Sequence, residues 1–183
     1  MSECSTGPEC GPQPLIPTTV ETERLLLRTW ATSDASALAE IYRQPEYLEH
    51  MPWADAEDQV AAFIRRWRED GFGTWAACDR ETGRVIGRIG LMRHHDWPLE
   101  RDPVEVGWVL HRDWWGRGLA TEGARASIDV WRRRLRDERL LSITLPGNLR
   151  SRAVMERIGM TYRGTAYWRG FDQVWYALDR EEA

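Results

Sequence analysis

The segment that decides the fold reads Trp114-Trp115-Gly116-Arg117-Gly118-Leu119-Ala120-Thr121-Glu122. An extended apolar run, Val104–Leu110, precedes it, and a long amphipathic helix pattern follows it. Glycines let the backbone approach a ligand closely, and the first N–H groups of a helix have no intrahelical partner and carry partial positive charge. The pattern therefore predicts an anion-binding site at a strand-to-helix turn, with a phosphate or pyrophosphate as its ligand. An ordinary strand-to-helix turn is the alternative interpretation.

Strand and helix signals alternate along the rest of the chain. Apolar patterns predict strands at residues 23–30, 74–79, 84–92, 104–110, 140–145, 162–168 and 174–178. Helical spacing and capping residues predict helices that begin after Thr32 or Ser33, after Asp55, at Leu119 and after Asn148. Residues 45–53 are predicted to be irregular. This order, with both hairpins and crossovers, predicts an α/β domain with a mixed sheet flanked by helices.

Composition and charge narrow the class of protein. The 183 residues fit one domain at 21–183, while the Pro-, Gly-, Ser- and Thr-rich residues 1–20 are predicted to be a disordered leader. The formal net charge of −4 argues against a nucleic-acid partner, and no apolar run approaches the length of a membrane span. The first residues lack a signal-peptide pattern, so we expect a cytoplasmic location. The three cysteines fit a reduced protein and show no metal-type spacing, so no metal site is expected.

Several segments together resemble one family, the GNAT acetyltransferases. The glycine segment is similar to the family's acetyl-CoA pyrophosphate loop, Gln/Arg-x-x-Gly-x-Gly/Ala, although Trp115 stands at the Gln/Arg position. Trp-Gly-x-Gly-x-Ala-Thr-Glu is typical of one branch, which includes the ribosomal-protein N-terminal acetyltransferases. Further matches to that branch follow the family's order, at residues 22–28, 148–151, 154–160 and 172–178. The resemblance runs from about Thr22 to Arg180.

This resemblance implies a fold, a reaction and a cofactor. The fold is the GNAT fold, whose central twisted, mostly antiparallel sheet splays at the cofactor site. The reaction is acetyl transfer from acetyl-CoA to a primary amine of a small molecule or a peptide N-terminus, by direct attack in a ternary complex. The cofactor-binding residues that the resemblance implies are Trp108, Val109 and Leu110 along the pantetheine arm, Trp115, Gly116, Arg117, Gly118, Leu119, Ala120 and Thr121 around the pyrophosphate, and Asn148 and Ser151 near the thiol.

The chemistry needs a base for the amine and a donor for the leaving thiolate. Glu105 lies in the strand before the glycine segment, where related sequences often carry an acid, and we interpret it as the general base. An exposed strand glutamate is the alternative. Many GNAT enzymes carry a tyrosine seven residues after the matched Asn, but here that residue is Met155, so Ser151 is expected to be the donor. Helix capping is the alternative for Asn148 and Ser151. Further candidate bases are His50, His94 and His95.

Acceptor specificity is expected, from the resemblance, in residues 44–53 and 93–103. These loops carry aromatic and acidic side chains, which suit a cationic amine. A polar loop with a few packing aromatics is the alternative. A catalytically weak GNAT domain that binds acyl-CoA as a sensor or structural module is a second hypothesis for the whole protein. A different nucleotide-binding enzyme is disfavoured because neither a Walker lysine nor a Rossmann acid follows the glycines. The resemblance also allows a homodimer.

Overall fold

The computed structural model describes residues 13–48 and 55–180, and within them eight strands form one open mixed sheet. The strands are β1 (Thr19–Glu21), β2 (Leu25–Arg28), β3 (Thr74–Asp79), β4 (Val85–Arg93), β5 (Val104–Leu110), β6 (Arg139–Thr144), β7 (Thr161–Trp168) and β8 (Phe171–Asp179). Their order across the sheet is β1-β2-β3-β4-β5-β6-β8-β7. Neighbouring strands are antiparallel except β5 and β6, which are parallel. The helices are α1 (Ala35–Tyr42), α2 (Pro45–Leu48), α3 (Ala56–Glu69), α4 (Leu119–Arg134) and α5 (Leu149–Arg157).

Local signals in the sequence set several element boundaries. The Asp55 carboxylate accepts a hydrogen bond from the Asp58 backbone N–H at 2.9 Å and caps α3. Asn148 caps α5 in the same way. Gly83 closes the β3–β4 hairpin with a φ of 71°, which favours glycine. These elements therefore begin and end close to the predicted positions.

Helices cover both faces of the sheet. α4 packs on one face, where its Trp131 shares an apolar cluster with Val106 of β5. α1 and α3 pack on the other face, where Phe63 of α3 shares a second cluster with Val109. Because side chains alternate along a strand, Glu105 shares the face of Val109. The predicted base therefore lies on the side of α1 and α3, away from α4.

Strands β5 and β6 separate partway along their length. They pair only at Val104 with Leu140 and at Glu105 with Leu141. β5 nevertheless continues to Leu110 and β6 to Thr144. The two strands are therefore apart from the residue after Glu105 onward. This split, in a mostly antiparallel mixed sheet flanked by helices, confirms the predicted fold class.

The described part of the predicted leader is packed onto the domain. Ile16 is 3% exposed, and Thr19 and Val20 begin β1. The backbone N–H of Leu15 donates to the Gly71 carbonyl at 2.8 Å. The prediction of disorder is therefore wrong for residues 15–20. The buried side chain of Ile16 and the backbone hydrogen bonds hold this segment in place, although its composition is typical of a loop. Residues 1–12 lie outside the described residues.

The segment predicted to be irregular before α3 is partly helical. Its first residues form the short helix α2, Pro45–Leu48. Tyr47 of that helix donates a hydrogen bond to the Leu110 carbonyl, which holds the helix against the end of β5. Residues 49–54, including the candidate base His50, lie outside the described residues.

Candidate active site

The glycine segment forms a tight turn directly before α4. Gly116 and Gly118 have φ values of 74° and 78°, in the left-handed region that glycine tolerates. A Cβ at Gly116 would meet no described atom within 4 Å, and one at Gly118 would meet only the Arg24 guanidinium at 3.6 Å. Backbone conformation, rather than lack of space, therefore requires glycine here. The first helical hydrogen bond of α4 runs from Glu122 N–H to the Gly118 carbonyl at 3.0 Å. The N–H groups before it are the ones that a helix start offers to an anion.

A polar cluster fixes this turn to the start of β2. The Glu122 carboxylate accepts hydrogen bonds from the Thr22 hydroxyl at 2.6 Å, from the Arg24 backbone N–H at 2.8 Å and from Arg24 Nε at 2.7 Å. Arg24 also donates to the Arg117 carbonyl at 2.7 Å, inside the turn. Burial alone would raise the pKa of Glu122, but these hydrogen bonds and the Arg24 charge hold it below its usual value. Both segments were noted in the sequence, yet the link between them was missed.

Arg117 itself lies on the exposed side of the turn. Its guanidinium sits 4.8 Å from the centre of the Trp114 ring, in a cation–π contact. On the buried side, the Thr121 hydroxyl accepts a hydrogen bond from Arg157 at 3.2 Å. A role for Arg117 toward a phosphate stays a prediction.

The predicted pantetheine-binding residues lie on the separated part of β5. Trp108, Val109 and Leu110 all follow the last pair with β6. The Leu110 carbonyl accepts two hydrogen bonds, from the Tyr47 hydroxyl at 2.7 Å and from the Trp115 indole at 2.7 Å. Burial raises the pKa of Tyr47 to about 12, so the phenol stays a donor. A carbonyl has two lone pairs, so that of Leu110 is fully occupied before any ligand binds.

Asn148 lies between β6 and α5 on the other side of the split, and Ser151 lies in the first turn of α5. Asn148 Oδ1 accepts from the Ser151 backbone N–H at 3.1 Å, while its Nδ2 donates to the Thr144 hydroxyl at 3.0 Å. The capping interpretation is thus observed for both residues. Met155, at the family's tyrosine position, is fully buried. A contact of Asn148 or Ser151 with a thiol stays a prediction.

Glu105 is a buried carboxylate at the point where the sheet splits. It is 8% exposed, so the alternative of an exposed strand glutamate is wrong. Its Oε1 accepts from the backbone N–H of Ile143 at 3.3 Å, and Ile143 lies on β6 beyond the last pair with β5. The carboxylate therefore lies at the start of the split and accepts a hydrogen bond from a backbone N–H of β6 that β5 no longer pairs with. Its Oε2 lies 2.6 Å from His94 Nε2.

His94 is a partner of the predicted base. Its ring is 2% exposed and contacts the Trp168 ring edge-on at 4.8 Å. Treating His94 as one loop histidine among several missed this pair. The strand register contains the signal, because Met92 pairs with Glu105. His94 follows two residues after Met92 and therefore lies on the same face of the sheet as Glu105. His95 instead is exposed and lies 2.7 Å from Asp102, whose hydrogen bond raises the pKa of His95.

The acidic side chains that the structure describes in the expected acceptor loops each lie within ion-pair distance of a basic side chain. Glu46 lies 3.1 Å from Arg112, and Asp96 holds Arg169 at 2.8 Å. Two others are paired in the same way, Glu100 with Arg139 and Asp102 with His95. The described part of these loops therefore offers little free negative charge to a cationic amine.

Residues 13–48 and 55–180, the part of the chain that the structure describes, contain neither a metal-binding cluster nor a membrane-spanning helix. No group of three or more His, Cys, Asp or Glu side chains in this part of the chain is arranged to hold a metal ion. Helices in the same ranges are too short or too polar to cross a membrane.

Comparison with known proteins agrees with this architecture. A family model described as "Acetyltransferase (GNAT) domain" matches residues 24–161. "Uncharacterized N-acetyltransferase YnaD" of Bacillus subtilis is 24% identical over 89% of this chain and 98% of its own. The crystal structure of an acetyltransferase from Agrobacterium tumefaciens is 31% identical, with a TM-score of 0.78 over 90% of this chain and 95% of its own. RimL, a ribosomal alpha-N-protein acetyltransferase solved in complex with coenzyme A, shares the fold with a TM-score of 0.69 at 20% identity, over 90% of this chain and 97% of its own. Since the family model spans most of the chain and the fold agrees with it, this protein belongs to the GNAT family of acetyltransferases.

Proposed function

We propose that this protein is an acetyl-CoA-dependent N-acetyltransferase that acts on a primary amine of a small molecule or a peptide N-terminus. The observation that carries the proposal is the buried Glu105 carboxylate at the point where β5 and β6 separate. Membership of the GNAT family supports acetyl transfer in general. A cytoplasmic location and a homodimer remain expectations from the sequence, and light scattering after gel filtration tests the second.

The geometry fits acetyl-CoA. The left-handed turn at Gly116 and Gly118 leads into the N-terminus of α4, where backbone N–H groups and the helix dipole favour a pyrophosphate. The split beside β5 suits the extended pantetheine arm, because a separated strand has unpaired backbone groups. We expect that arm to pair with the backbone of Trp108, because the Val109 carbonyl faces Gly87 of β4 and the Leu110 carbonyl is occupied by Tyr47 and Trp115.

The proposed reaction begins by removing a proton from the acceptor. A free alkyl ammonium titrates near about 10, so it needs a base at neutral pH. Glu105 takes this proton, and the neutral amine nitrogen attacks the thioester carbonyl carbon. The N–C bond forms, the C–S bond breaks, and the second proton of the nitrogen ends on the thiolate through the Ser151 hydroxyl or water. His94 holds Glu105 Oε2 at 2.6 Å and positions the carboxylate for this step.

Calorimetric titration with acetyl-CoA, followed by an amine screen that detects free thiol, tests the proposal. We expect micromolar binding at one site per chain and turnover of at least one amine. Glu105→Gln should lower kcat by about 10²-fold or more, the usual contribution of a general base, and leave acetyl-CoA affinity unchanged. Glu138→Gln, an exposed position outside the site, is the matched control.

Each adverse outcome has a distinct meaning. Binding without turnover over a broad amine panel would favour the second hypothesis, an acyl-CoA-binding sensor or structural module. Absence of binding at high acetyl-CoA concentration would reduce the glycine segment to a turn and remove the enzyme assignment. Full activity of Glu105→Gln would exclude Glu105 as the base.

A further inference from the structure

Two arginines near the site bury charged nitrogen atoms that have no hydrogen-bond partner. Nε and Nη1 of Arg88 and Nη1 of Arg66 are buried, and none of the three has a partner among the described residues. Folded proteins nearly always pair such groups, because an unpaired buried donor costs its full desolvation energy. Arg28 shows the usual arrangement in this chain, since it donates to both oxygens of Asp34 at 2.7 and 2.8 Å. Arg88 and Arg66 therefore need an explanation that Arg28 does not.

Arg88 lies on the same face of the sheet as Glu105. β4 pairs with β5 so that Arg88 is opposite Val109, Gly90 opposite Gly107 and Met92 opposite Glu105. A Cβ on Gly107 would lie 3.6 Å from Glu105 Oε1 and 3.7 Å from Arg88 Nη1. Because the two atoms lie 3.6 and 3.7 Å from the same point, they are at most about 7.3 Å apart. The absence of a side chain at Gly107 leaves a hollow between a carboxylate and a guanidinium.

Arg66 adds a second positive charge beside Arg88. It lies one helical turn after Phe63 on α3, and the Arg88 guanidinium lies 5.8 Å from the centre of the Phe63 ring. Burial lowers the pKa of Arg66, and the nearby charges of Arg169 and Arg88 lower it further, against an opposing effect of Asp70. The side chains around Arg66 thus favour its charged form less than water does. An anion from outside the described residues would reverse that imbalance.

A carboxylate satisfies such a site. It binds a guanidinium through charge-assisted and often bidentate hydrogen bonds. We propose that Arg88, assisted by Arg66, binds a carboxylate of the acceptor, and that the acceptor is a free amino acid whose amine reaches Glu105. This inference rests on the proposed acetyltransferase function and narrows its substrate class. The short separation of Arg88 and Glu105 suits an amine and a carboxylate on one small molecule, and it disfavours polyamines, which carry no anion.

Matched acceptor pairs test this inference. Free amino acids and the corresponding amino acid amides are compared as acceptors by thiol release at saturating acetyl-CoA. We expect kcat/KM to favour the free acids by about ten- to a hundredfold, the usual effect of one charged hydrogen bond. Arg88→Gln should abolish that preference, and Arg88→Lys should restore part of it. Arg68→Gln, at an exposed position of α3, is the matched control.

A binding measurement separates this inference from the acetyltransferase proposal. The side-chain Nε–H signal of Arg88 in ¹⁵N-labelled protein is followed while the same amino acids and amides are added. We expect free acids, but not amides, to shift it, with or without acetyl-CoA. Arg88→Gln should also keep or raise the melting temperature, because it removes a buried unpaired charge.

The outcomes are distinguishable. If acetyl-CoA does not bind, the enzyme assignment fails while the Arg88 signal still reports on the anion site. If amides are used as well as acids, if peptides are used better than free amino acids, or if no acid shifts the Arg88 signal, the inference is wrong.

Discussion

Ser151 has two roles that involve different atoms. Its backbone N–H takes part in the cap of α5, and its side-chain hydroxyl is the proposed proton donor. The cap of α5 uses the Ser151 backbone N–H, which donates to Asn148 Oδ1 at 3.1 Å. Replacing the side chain leaves that N–H in place. The proposed donation of a proton to the thiolate requires the hydroxyl instead.

Ser151→Ala should therefore slow turnover without loosening the fold. We expect kcat to fall by about 10²-fold if the hydroxyl is the donor, a larger effect than any loss of acetyl-CoA affinity, with the melting temperature unchanged. Steady-state kinetics and thermal unfolding measure the two effects. Asn148→Ala is the comparison, since loss of the cap costs about 1 kcal/mol of stability. A normal kcat in Ser151→Ala would leave Ser151 with its capping role alone.

At the scale of elements, the junction of β5 and α4 combines conformation with electrostatics. The φ of 78° at Gly118 places the N–H groups of α4 at the end of the turn. Any other L-residue there costs about 1–2 kcal/mol for the left-handed conformation. A negative side chain adds repulsion toward a bound pyrophosphate.

Comparing Gly118→Ala with Gly118→Asp separates these two effects. Both should lose about 1–2 kcal/mol of unfolding free energy, measured by urea titration. Only Gly118→Asp should lose acetyl-CoA binding, by about 2 kcal/mol or more, because like charges about 4 Å apart near a surface repel by up to about 4 kcal/mol. Equal affinities of the two variants in calorimetry would show that no anion binds at this turn.

At the scale of the whole molecule, the Glu122 cluster joins distant parts of the chain. Arg24 and Glu122 are 98 residues apart, and their contact holds the edge of β2 against the N-terminus of α4. Because the folded state lowers the pKa of Glu122, the carboxylate stabilises the fold at neutral pH. That contribution is lost as the pH falls below the unfolded value of about 4.3 and through the folded pKa.

Glu122→Gln should accordingly lower stability in a pH-dependent way. At pH 7 we expect a loss of about 1–2 kcal/mol, a figure reduced for the partial exposure of Arg24. The difference from the original protein should shrink when urea unfolding is repeated below about pH 4. A difference that stays constant with pH would mean that the charge of Glu122 does not contribute. Glu138→Gln serves as the exposed control.

The sequence predicted the helices and strands better than the side-chain contacts between them. Capping by Asp55 and Asn148, the glycine turn and the alternation along β5 are local signals, so the fold class and the strand of Glu105 could be predicted. Pairings such as His94 with Glu105 depend on register and on loop closure, which periodicity does not contain. The leader was misjudged because one buried side chain, Ile16, outweighed a loop-like composition. Arg88 and Arg66 gave no signal, since an unpaired charge is visible only when its surroundings are known.

The two-residue junction of β5 and β6 gives the sheet a mechanical weak point. Strands β1 to β5 form one half of the sheet, and strands β6, β8 and β7 form the other. In the described chain, two residue pairs between β5 and β6 join the two halves. An acetyl-CoA molecule bound in the split between β5 and β6 would contact both halves of the sheet and hold them together. The free energy of unfolding would then rise with the acetyl-CoA concentration, because a ligand that binds only the folded state stabilises it by mass action.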